Sequence, residues 1–156
     1  MSVEIRSIRA DDVYLLEELQ VDPGENPFEF EKVPFEKWEH NRFIQAMNCK
    51  RESVLVAFIG KSIVGYVAYR KVTNRLTDIE MIAVDSFFRR RGVGMALLHD
   101  VFCDAYASVY QPKLRIFAPD SLLDLHKLLS RSGMKAVRVE KDKYVFEGLS
   151  PVMCGA

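Results

Sequence analysis

The sequence has few of the features that mark membrane, secreted or metal-binding proteins. Its 156 residues include only three cysteines, Cys49, Cys103 and Cys154, and no two of them have the spacing of a metal site or a redox pair. Separate thiols of this kind are typical of a reducing compartment, so we expect three reduced, mostly buried thiols and no metal, with a disulfide as the alternative. No apolar run approaches the length of a membrane span.

An excess of charge of one sign is also absent. The chain carries 22 lysines and arginines against 22 aspartates and glutamates, so its formal net charge is zero. Such a chain has no overall field that draws it to nucleic acid or to an anionic membrane, and we expect neither as a partner. Charged residues are scattered through the first twenty positions, which excludes the apolar core of a signal peptide there and favours a cytoplasmic protein.

The composition that remains is that of an ordinary globular protein. Hydrophobic residues make up 49% of the chain and charged residues 28%. A chain of this length is long enough for one domain with one sizeable core. We expect that domain over residues 1–149, followed by a tail without pattern over residues 150–156.

The most informative stretch covers residues 78–98 and has the sequence DIEMIAVDSFFRRRGVGMALL. It predicts a strand, a tight turn that contains Gly92 and Gly94, and the start of a helix. Glycines allow close approach of the backbone to a ligand, and the first N–H groups of a helix lack partners within it. The helix dipole and the three arginines at 89–91 add positive charge, so the stretch predicts a site for a diphosphate.

Two common phosphate-binding patterns do not fit this stretch. A dinucleotide fingerprint requires Gly or Ala three residues after Gly94, where Leu97 stands, and the Gly-Lys-Ser/Thr of nucleoside triphosphate sites is absent. What remains is Arg-x-x-Gly-x-Gly, formed by Arg89, Gly92 and Gly94. This pattern resembles the acetyl-CoA-binding motif of the GCN5-related N-acetyltransferase (GNAT) family. The alternative is a strand–helix connection that is rich in Arg and Gly and binds nothing.

The rest of the chain predicts the elements around this stretch. Alternating residues near Val3 predict a strand, Asp11 or Asp12 is a candidate cap for the next helix, and Pro34 is expected to open a second helix that carries Trp38 and Phe43. Strands are predicted over 53–59, 63–72, 76–84, 113–118, 134–140 and 144–147, with helices over 92–107 and from Ser121 to a C-terminal Gly133. We therefore predict an α/β fold of the α+β type, with a mixed, largely antiparallel twisted sheet of six to seven strands and about four helices.

The resemblance extends from near Val3 to about Gly148 and includes the segments IRSIRADDVYLLEEL and IVGYVAY. It implies acetyl-CoA as cosubstrate, held where the strand before the motif splays from its neighbour. It also implies that the N–H of Ala83 or Val84 polarises the thioester carbonyl, as an oxyanion hole does. The residues that the resemblance assigns to coenzyme binding are Ile82, Ala83, Val84, Arg89, Arg90, Arg91, Gly92, Val93, Gly94 and Met95.

Two acids are candidates for the catalytic base that takes a proton from the amine. Asp78 and Glu80 fall on the same face of the predicted strand, counted back from Val84. Asp78 matches the position where many family members carry a glutamate base, whereas Glu80 is longer and one step nearer the thioester. Either residue is alternatively an exposed polar group without a catalytic role.

The sequence departs from the family where a proton donor to the leaving thiolate is expected. Leu129 occupies the position of the usual Tyr, and Leu122 that of the usual Asn. His126 is expected on the surface because it lies off the leucine stripe, and Tyr66 and Tyr144 are expected to be packing residues.

We therefore expect an N-acetyltransferase acting on a primary amine, either a protein N-terminus or a small molecule, with a homodimer as one assembly. An acidic stretch over residues 22–39 would favour a cationic amine, unless it is merely a solvated surface. A non-catalytic acyl-CoA-binding module is the alternative that the two leucines suggest. Nucleic-acid binding by the arginines is disfavoured by the zero net charge.

Overall fold

A computed structural model describes residues 2–19, 38–108, 112–119, 122–141 and 143–148. Seven strands and four α-helices are found within these ranges, and a 3₁₀ turn over Ser86–Phe88 lies between the fourth strand and the third helix. In chain order the elements are β1 (Val3–Ser7), α1 (Asp12–Glu17), α2 (His40–Met47), β2 (Glu52–Ile59), β3 (Ser62–Lys71), β4 (Leu76–Val84), α3 (Val93–Ser108), β5 (Lys113–Pro119), α4 (Leu123–Arg131), β6 (Lys135–Glu140) and β7 (Lys143–Gly148).

All seven strands belong to one sheet in the order β1-β2-β3-β4-β5-β7-β6. Neighbours run antiparallel except for β4 and β5, which are parallel. Parallel neighbours need a long crossover, and α3 supplies it between them. The predicted mixed, largely antiparallel sheet with about four helices is confirmed.

The helix α3 packs its apolar face against the sheet, as the spacing of its residues predicts. The six residues named here are each at most 5% exposed: Val93, Leu97, Leu98, Val101, Phe102 and Ala105. They recur at three- and four-residue intervals, so they share a wide stripe of the helix. This packing fixes the N-terminus of α3 above the end of β4, where the glycine motif lies.

The second helix begins later than predicted. Residues 34–37 lie outside the described ranges, but Trp38 and Glu39 are described and are not helical, and Glu39 has an extended backbone (φ −90°, ψ 169°). The backbone N–H of Trp38 donates to the hydroxyl of Tyr66 at 3.2 Å, and the rings of Phe43 and Tyr66 are 5.0 Å apart. A tertiary contact therefore holds this N–H, and the helix starts at His40.

The capping prediction for α1 is also wrong in detail. Asp11 occupies the N-cap position but makes no side-chain cap. Asp12 is buried and its carboxylate points back along the chain, accepting from the Arg9 N–H at 2.7 Å and from Arg6 at 2.7 and 2.9 Å. Asp12 therefore ties α1 to β1.

The end of α4 is as predicted. Gly133 has φ +96°, a left-handed conformation that glycine adopts without strain, and it follows the last turn of the helix. The predicted start at Ser121 lies outside the described residues, as does most of the acidic stretch over 22–39. None of the described helices combines the length and the apolar character that crossing a bilayer requires.

Candidate functional site

The sheet opens between β4 and β5. These strands pair only from Leu76 with Lys113 to Ile79 with Ile116. Beyond that point β4 continues to Val84 along β3, while β5 continues to Pro119 along β7. The β5-facing edge of residues 80–84 therefore has no strand partner in the described part of the chain. Backbone N–H and C=O groups need partners, so this cleft suits an extended ligand that supplies them.

The arginine–glycine turn, residues 89–92, lies between the end of β4 and the start of α3. Arg90 and Gly92 have left-handed backbones, with φ 62° and φ 81°. Gly92 accepts the first helical hydrogen bond, from the N–H of Ala96 at 3.0 Å. A Cβ built on Gly92 would meet no atom within 4 Å, so the turn is open to a ligand. Left-handed residues in a turn direct successive backbone N–H groups to one side, where they can bind an anion.

The arginines of the turn add positive charge at this open end. Arg90 and Arg91 are exposed, and the guanidinium of Arg91 lies 5.4 Å from the centre of the Phe88 ring. The N–H groups of Val93, Gly94 and Met95 belong to the first turn of α3 and point toward the same end of the helix. Charge and donors thus converge here, as the sequence predicts for a diphosphate.

Gly94 and Gly65 are glycines for reasons of packing. A Cβ on Gly94 would lie 2.8 Å from Cδ2 of Leu128, which brings α3 against α4. A Cβ on Gly65 would lie 2.7 Å from the backbone oxygen of Ala83, in the cleft-lining part of β4. The close approach at Gly94 is therefore to a neighbouring helix, and of the two glycines of the motif it is Gly92 that has open space beside it.

Asp78 and Glu80 line one cavity of about 340 Å³, called here the β4 cavity. The two side chains therefore lie beside the same cavity, as residues on one face of a strand can. Both oxygens of Asp78 accept hydrogen bonds from Arg115 on β5, with Nε–Oδ1 at 2.7 Å and Nη2–Oδ2 at 2.8 Å. The hydrogen bond to Asp78 raises the pKa of Arg115. The full lining of the cavity is Trp38, Arg42, Asp78, Ile79, Glu80, Phe117 and Lys143.

Glu80 lies at a β-bulge. Ile79 pairs with Tyr69 and Met81 with Ala68, so Glu80 has no opposite residue on β3. Bulges of this kind are frequent beside active sites because they redirect one side chain. Oε2 of Glu80 accepts from Nη2 of Arg42 at 2.8 Å. Oε1 accepts no hydrogen bond from any described residue.

Arg42 on α2 connects three parts of the site. Besides Glu80 it pairs with Glu52 on β2, and its guanidinium lies 4.0 Å from the centre of the Trp38 ring. Burial lowers the pKa of Arg42, but the two carboxylates outweigh this and the net shift is upward. The guanidinium is therefore charged and held in place, and it fixes the carboxylate of Glu80.

Sequence reasoning missed the basic and aromatic residues of the β4 cavity. These residues come from three elements, Arg42 from α2, Arg115 and Phe117 from β5 and Lys143 from β7, so a local spacing relates only the two on β5. One signal was available, because Arg115 interrupts the otherwise apolar strand KLRIFA. A charged residue within an apolar strand indicates a buried partner, and that partner is Asp78.

Leucines stand at the two positions where the resemblance implies a Tyr and an Asn, one in α4 and one just before it, and they offer no hydroxyl to the cleft. Leu129 is fully buried and Leu122 is partly buried. His126 is half-buried rather than on the surface, which corrects the prediction: its Nε2 lies 2.9 Å from the carbonyl oxygen of Pro119, and its ring lies 5.0 Å from that of Tyr144. The carbonyl only accepts, so Nε2 carries the proton.

Of the two tyrosines predicted to be packing residues, Tyr144 is 38% exposed, so the prediction is wrong for it. Tyr66 is fully buried, which confirms its packing role, and burial raises its pKa far above the ordinary value. Cys49 and Cys103 are free thiols, as predicted, and Cys154 lies outside the described ranges. Within those ranges no three His, Cys, Asp or Glu side chains are close enough together to hold a metal ion.

A sequence model described as the acetyltransferase (GNAT) family matches residues 13–108. Among solved structures, the GNAT domain of S. lividans PAT superposes with a TM-score of 0.78 at 18% identity, covering 94% of this chain and 89% of that one.

Two further structures carry a coenzyme. One is the PaiA N-acetyltransferase from Thermoplasma acidophilum in complex with coenzyme A, with a TM-score of 0.74, 13% identity and coverage of 96% of this chain and 100% of that one. The other is the N-acetyltransferase PseH from Campylobacter jejuni in complex with acetyl coenzyme A, with a TM-score of 0.68, 15% identity and coverage of 96% and 99%. At these identities the likeness concerns the fold. No curated protein sequence matches the chain significantly.

Proposed function

The chain belongs to the acetyltransferase (GNAT) family, and from this premise we propose that it transfers an acetyl group from acetyl-CoA to a primary amine. The observation that carries the proposal is the divergence of β4 and β5 beside an open arginine–glycine turn at the N-terminus of α3. The complexes of PaiA with coenzyme A and of PseH with acetyl coenzyme A support coenzyme binding on this fold.

The residues of the cleft fit the coenzyme in two parts. The diphosphate is bound by the backbone N–H groups of Gly92, Val93, Gly94 and Met95, with ionic contacts from Arg89, Arg90 and Arg91. The pantetheine arm pairs with the unpartnered edge of β4 at Ile82, Ala83 and Val84. The N–H of Ala83 or Val84 polarises the thioester carbonyl.

The chemistry is direct transfer. The amine nitrogen attacks the carbonyl carbon of the thioester, a C–N bond forms, the C–S bond breaks, and coenzyme A leaves as its thiolate. A free alkylamine is protonated at neutral pH, so a carboxylate must first accept a proton from it, directly or through water.

We assign the proton acceptor to Glu80 and a positioning role to Asp78. Both oxygens of Asp78 already accept from Arg115, whereas Oε1 of Glu80 accepts from no described residue. Glu80 is also the longer acid and lies two residues nearer along β4 to Ile82, Ala83 and Val84. The geometry therefore favours Glu80 over the residue that alignment with the family favours.

The thiolate leaves without an acid from α4, since Leu122 and Leu129 are hydrocarbons. This is tolerable because a thiol has a pKa of about 8.5, far lower than that of an alcohol. The attacking nitrogen loses its second proton as the amide forms, and water carries this proton to the thiolate, so coenzyme A is released as the thiol.

The test combines ligand binding with turnover. Acetyl-CoA should raise the melting temperature, because a ligand that binds only the folded state stabilises it. Gly92→Trp fills the open space beside the turn and should abolish that rise. Gly60→Trp is the matched control, since Gly60 also has a positive φ (60°) and open space around its Cβ position, but lies in the β2–β3 turn. No rise with the parent protein at millimolar acetyl-CoA overturns the proposal.

A non-catalytic acyl-CoA-binding module is the second candidate, and the fully buried hydrocarbon side chain of Leu129 favours it. Such a module would show the rise in melting temperature but would release no free thiol with any amine. A panel of small amines and peptides, with thiol release as the readout, separates the two candidates.

A further inference from the structure

We infer that the acceptor is an amine that carries a carboxylate close to its amino group, as an α-amino acid does, and that Lys143 binds this carboxylate. The inference rests on the proposed function and names the substrate class of the same site. Its basis is the distribution of charge around the β4 cavity.

Each acid of the β4 cavity already forms an ion pair with an arginine. Asp78 is paired with Arg115, and Glu80 shares Arg42 with Glu52. Each guanidinium also lies over an aromatic ring, Arg42 over Trp38 at 4.0 Å and Arg115 over Phe117 at 5.0 Å. Both arginines are thus oriented by the protein and neutralised by its own carboxylates.

Lys143 is the lining cation to which the described residues offer no such partner. It is half-buried at the start of β7, and no described carboxylate lies within 4.0 Å of its ammonium group. Its cross-strand neighbour Glu140 is paired with Arg138 instead. A half-buried ammonium group without an anion is unfavourable, so a ligand that supplies one is bound more tightly.

The two sides of the β4 cavity therefore carry side chains of opposite charge. The two acids lie on β4, whereas Lys143 lies opposite Pro119 at the far end of β5, across the opening between the strands. An acceptor with an amine at one end and a carboxylate at the other matches both sides. A diamine would place a second positive charge beside Lys143, which is unfavourable.

The volume of the β4 cavity and the residues that line it agree with a small acceptor. About 340 Å³ is at the lower end of ligand sites, and Trp38, Ile79 and Phe117 provide apolar walls. These walls suit an apolar substituent between the amine and the carboxylate. A peptide N-terminus has an amide where an amino acid has its carboxylate, so it would not satisfy Lys143.

The experiment uses three acceptors of one shape: leucine, leucinamide and 3-methylbutylamine. Thiol release from acetyl-CoA is measured with the full chain and with Lys143→Gln, Lys143→Arg and the exposed, remote control Lys135→Gln. Because the same three acceptors are compared across variants, differences in the basicity of their amines cancel. The quantity that matters is the loss of kcat/KM for leucine divided by the loss for 3-methylbutylamine.

We expect this quotient to be about tenfold or more for Lys143→Gln, through a higher KM for leucine, since a charged hydrogen bond is lost. Lys143→Arg should restore most of the preference, and Lys135→Gln should give a quotient near one. Equal losses for both acceptors in Lys143→Gln, or a loss for leucinamide as large as the loss for leucine, overturn the inference and leave the acetyltransferase proposal standing. If acetyl-CoA raises the melting temperature but none of the acceptors gives any thiol release, both the inference and the acetyltransferase proposal are overturned.

Discussion

At the scale of single residues, Asp78 and Glu80 have the same functional group but differ in how many of their carboxylate oxygens accept a hydrogen bond. They are two residues apart on one strand and line one cavity, yet Asp78 is bound at both oxygens and Glu80 at one. A base needs a lone pair that can reach the proton it takes. The bulge and the single arginine contact provide this for Glu80.

Isosteric amides test this assignment. Glu80→Gln should lower kcat about 100-fold or more, because it removes the proton acceptor, while the rise in melting temperature with acetyl-CoA is kept. Asp78→Asn should lower kcat less but also lower the melting temperature, since Arg115 loses a charged partner. Steady-state thiol release and thermal unfolding of both variants give the comparison, and a greater loss of kcat in Asp78→Asn would reverse the roles.

Asp12 gives a pH dependence of stability. Burial raises its pKa, but the hydrogen bonds from Arg6 and from the Arg9 N–H outweigh this, so the pKa in the folded protein lies below its ordinary value. The stabilisation is therefore complete above the unfolded pKa of about 3.9 and is lost as the pH falls through the folded pKa.

Asp12→Asn should lower the free energy of unfolding by about 1–3 kcal/mol at pH 7. The difference from the parent protein should shrink below about pH 4, as measured by urea unfolding at several pH values. Asp11→Asn is the control, because Asp11 is exposed and caps nothing. A difference that does not vary between pH 7 and pH 3 would contradict the ion pair.

At the scale of elements, the strands and helices with strong periodicity were predicted well. The strand over 76–84 and the apolar stripe of α3 are as expected, because burial of one face dictates their sequence pattern. The start of α2 was missed because a tertiary hydrogen bond from Trp38 to Tyr66 replaces a helical one. The bulge at Glu80 has no local signature, since it depends on the register with β3.

The same difference between local sequence patterns and tertiary contacts applies to the residues of the site. The arginine–glycine turn and both acids lie within one short stretch, so their pattern could be read from the sequence. Lys143, Arg115 and Arg42 reach the β4 cavity only through the order of the strands and the position of α2. Side chains brought together by topology leave no spacing to detect.

Gly65 and Gly94 are expected to tolerate alanine differently. In Gly65→Ala the new methyl group meets a backbone oxygen, that of Ala83, at 2.7 Å, so the strands must move apart. In Gly94→Ala it meets the end of the Leu128 side chain at 2.8 Å, which can rotate away. We expect Gly65→Ala to cost about 1–3 kcal/mol and Gly94→Ala less.

Urea unfolding of the two variants measures the difference. Leu128→Ala combined with Gly94→Ala should show a favourable coupling in a double-mutant cycle, because the shortened side chain makes room for the methyl group. Additive effects, or a greater cost for Gly94→Ala than for Gly65→Ala, would contradict these packing arguments.

At the scale of the whole molecule, β7 is the strand that joins the C-terminal part of the sheet together. It pairs with β5 along its full length and with β6 on its other side. Its residues Val145 and Phe146 are buried in the described core. The sheet therefore depends on a strand that comes last among the described elements.

A chain ended after Gly148 should melt within about 3 °C of the full chain, because every described strand is kept. A chain ended after Glu140 loses β7, leaves β5 and β6 without their shared neighbour, and should not fold cooperatively. Circular dichroism during heating distinguishes the two. Equal melting of both chains would show that β7 does not stabilise the domain.

The short junction between β4 and β5 has a mechanical consequence. Four residue pairs join the four-stranded part of the sheet, β1 to β4, to the three-stranded part, β5 to β7. This junction is therefore the weakest connection within the sheet. A ligand bound in the opening would add backbone hydrogen bonds between the two parts of the sheet and make the junction more rigid. Amide protons of residues 80–84 should then exchange with solvent more slowly in the ligand-bound protein. Their exchange should become faster again once the product has left.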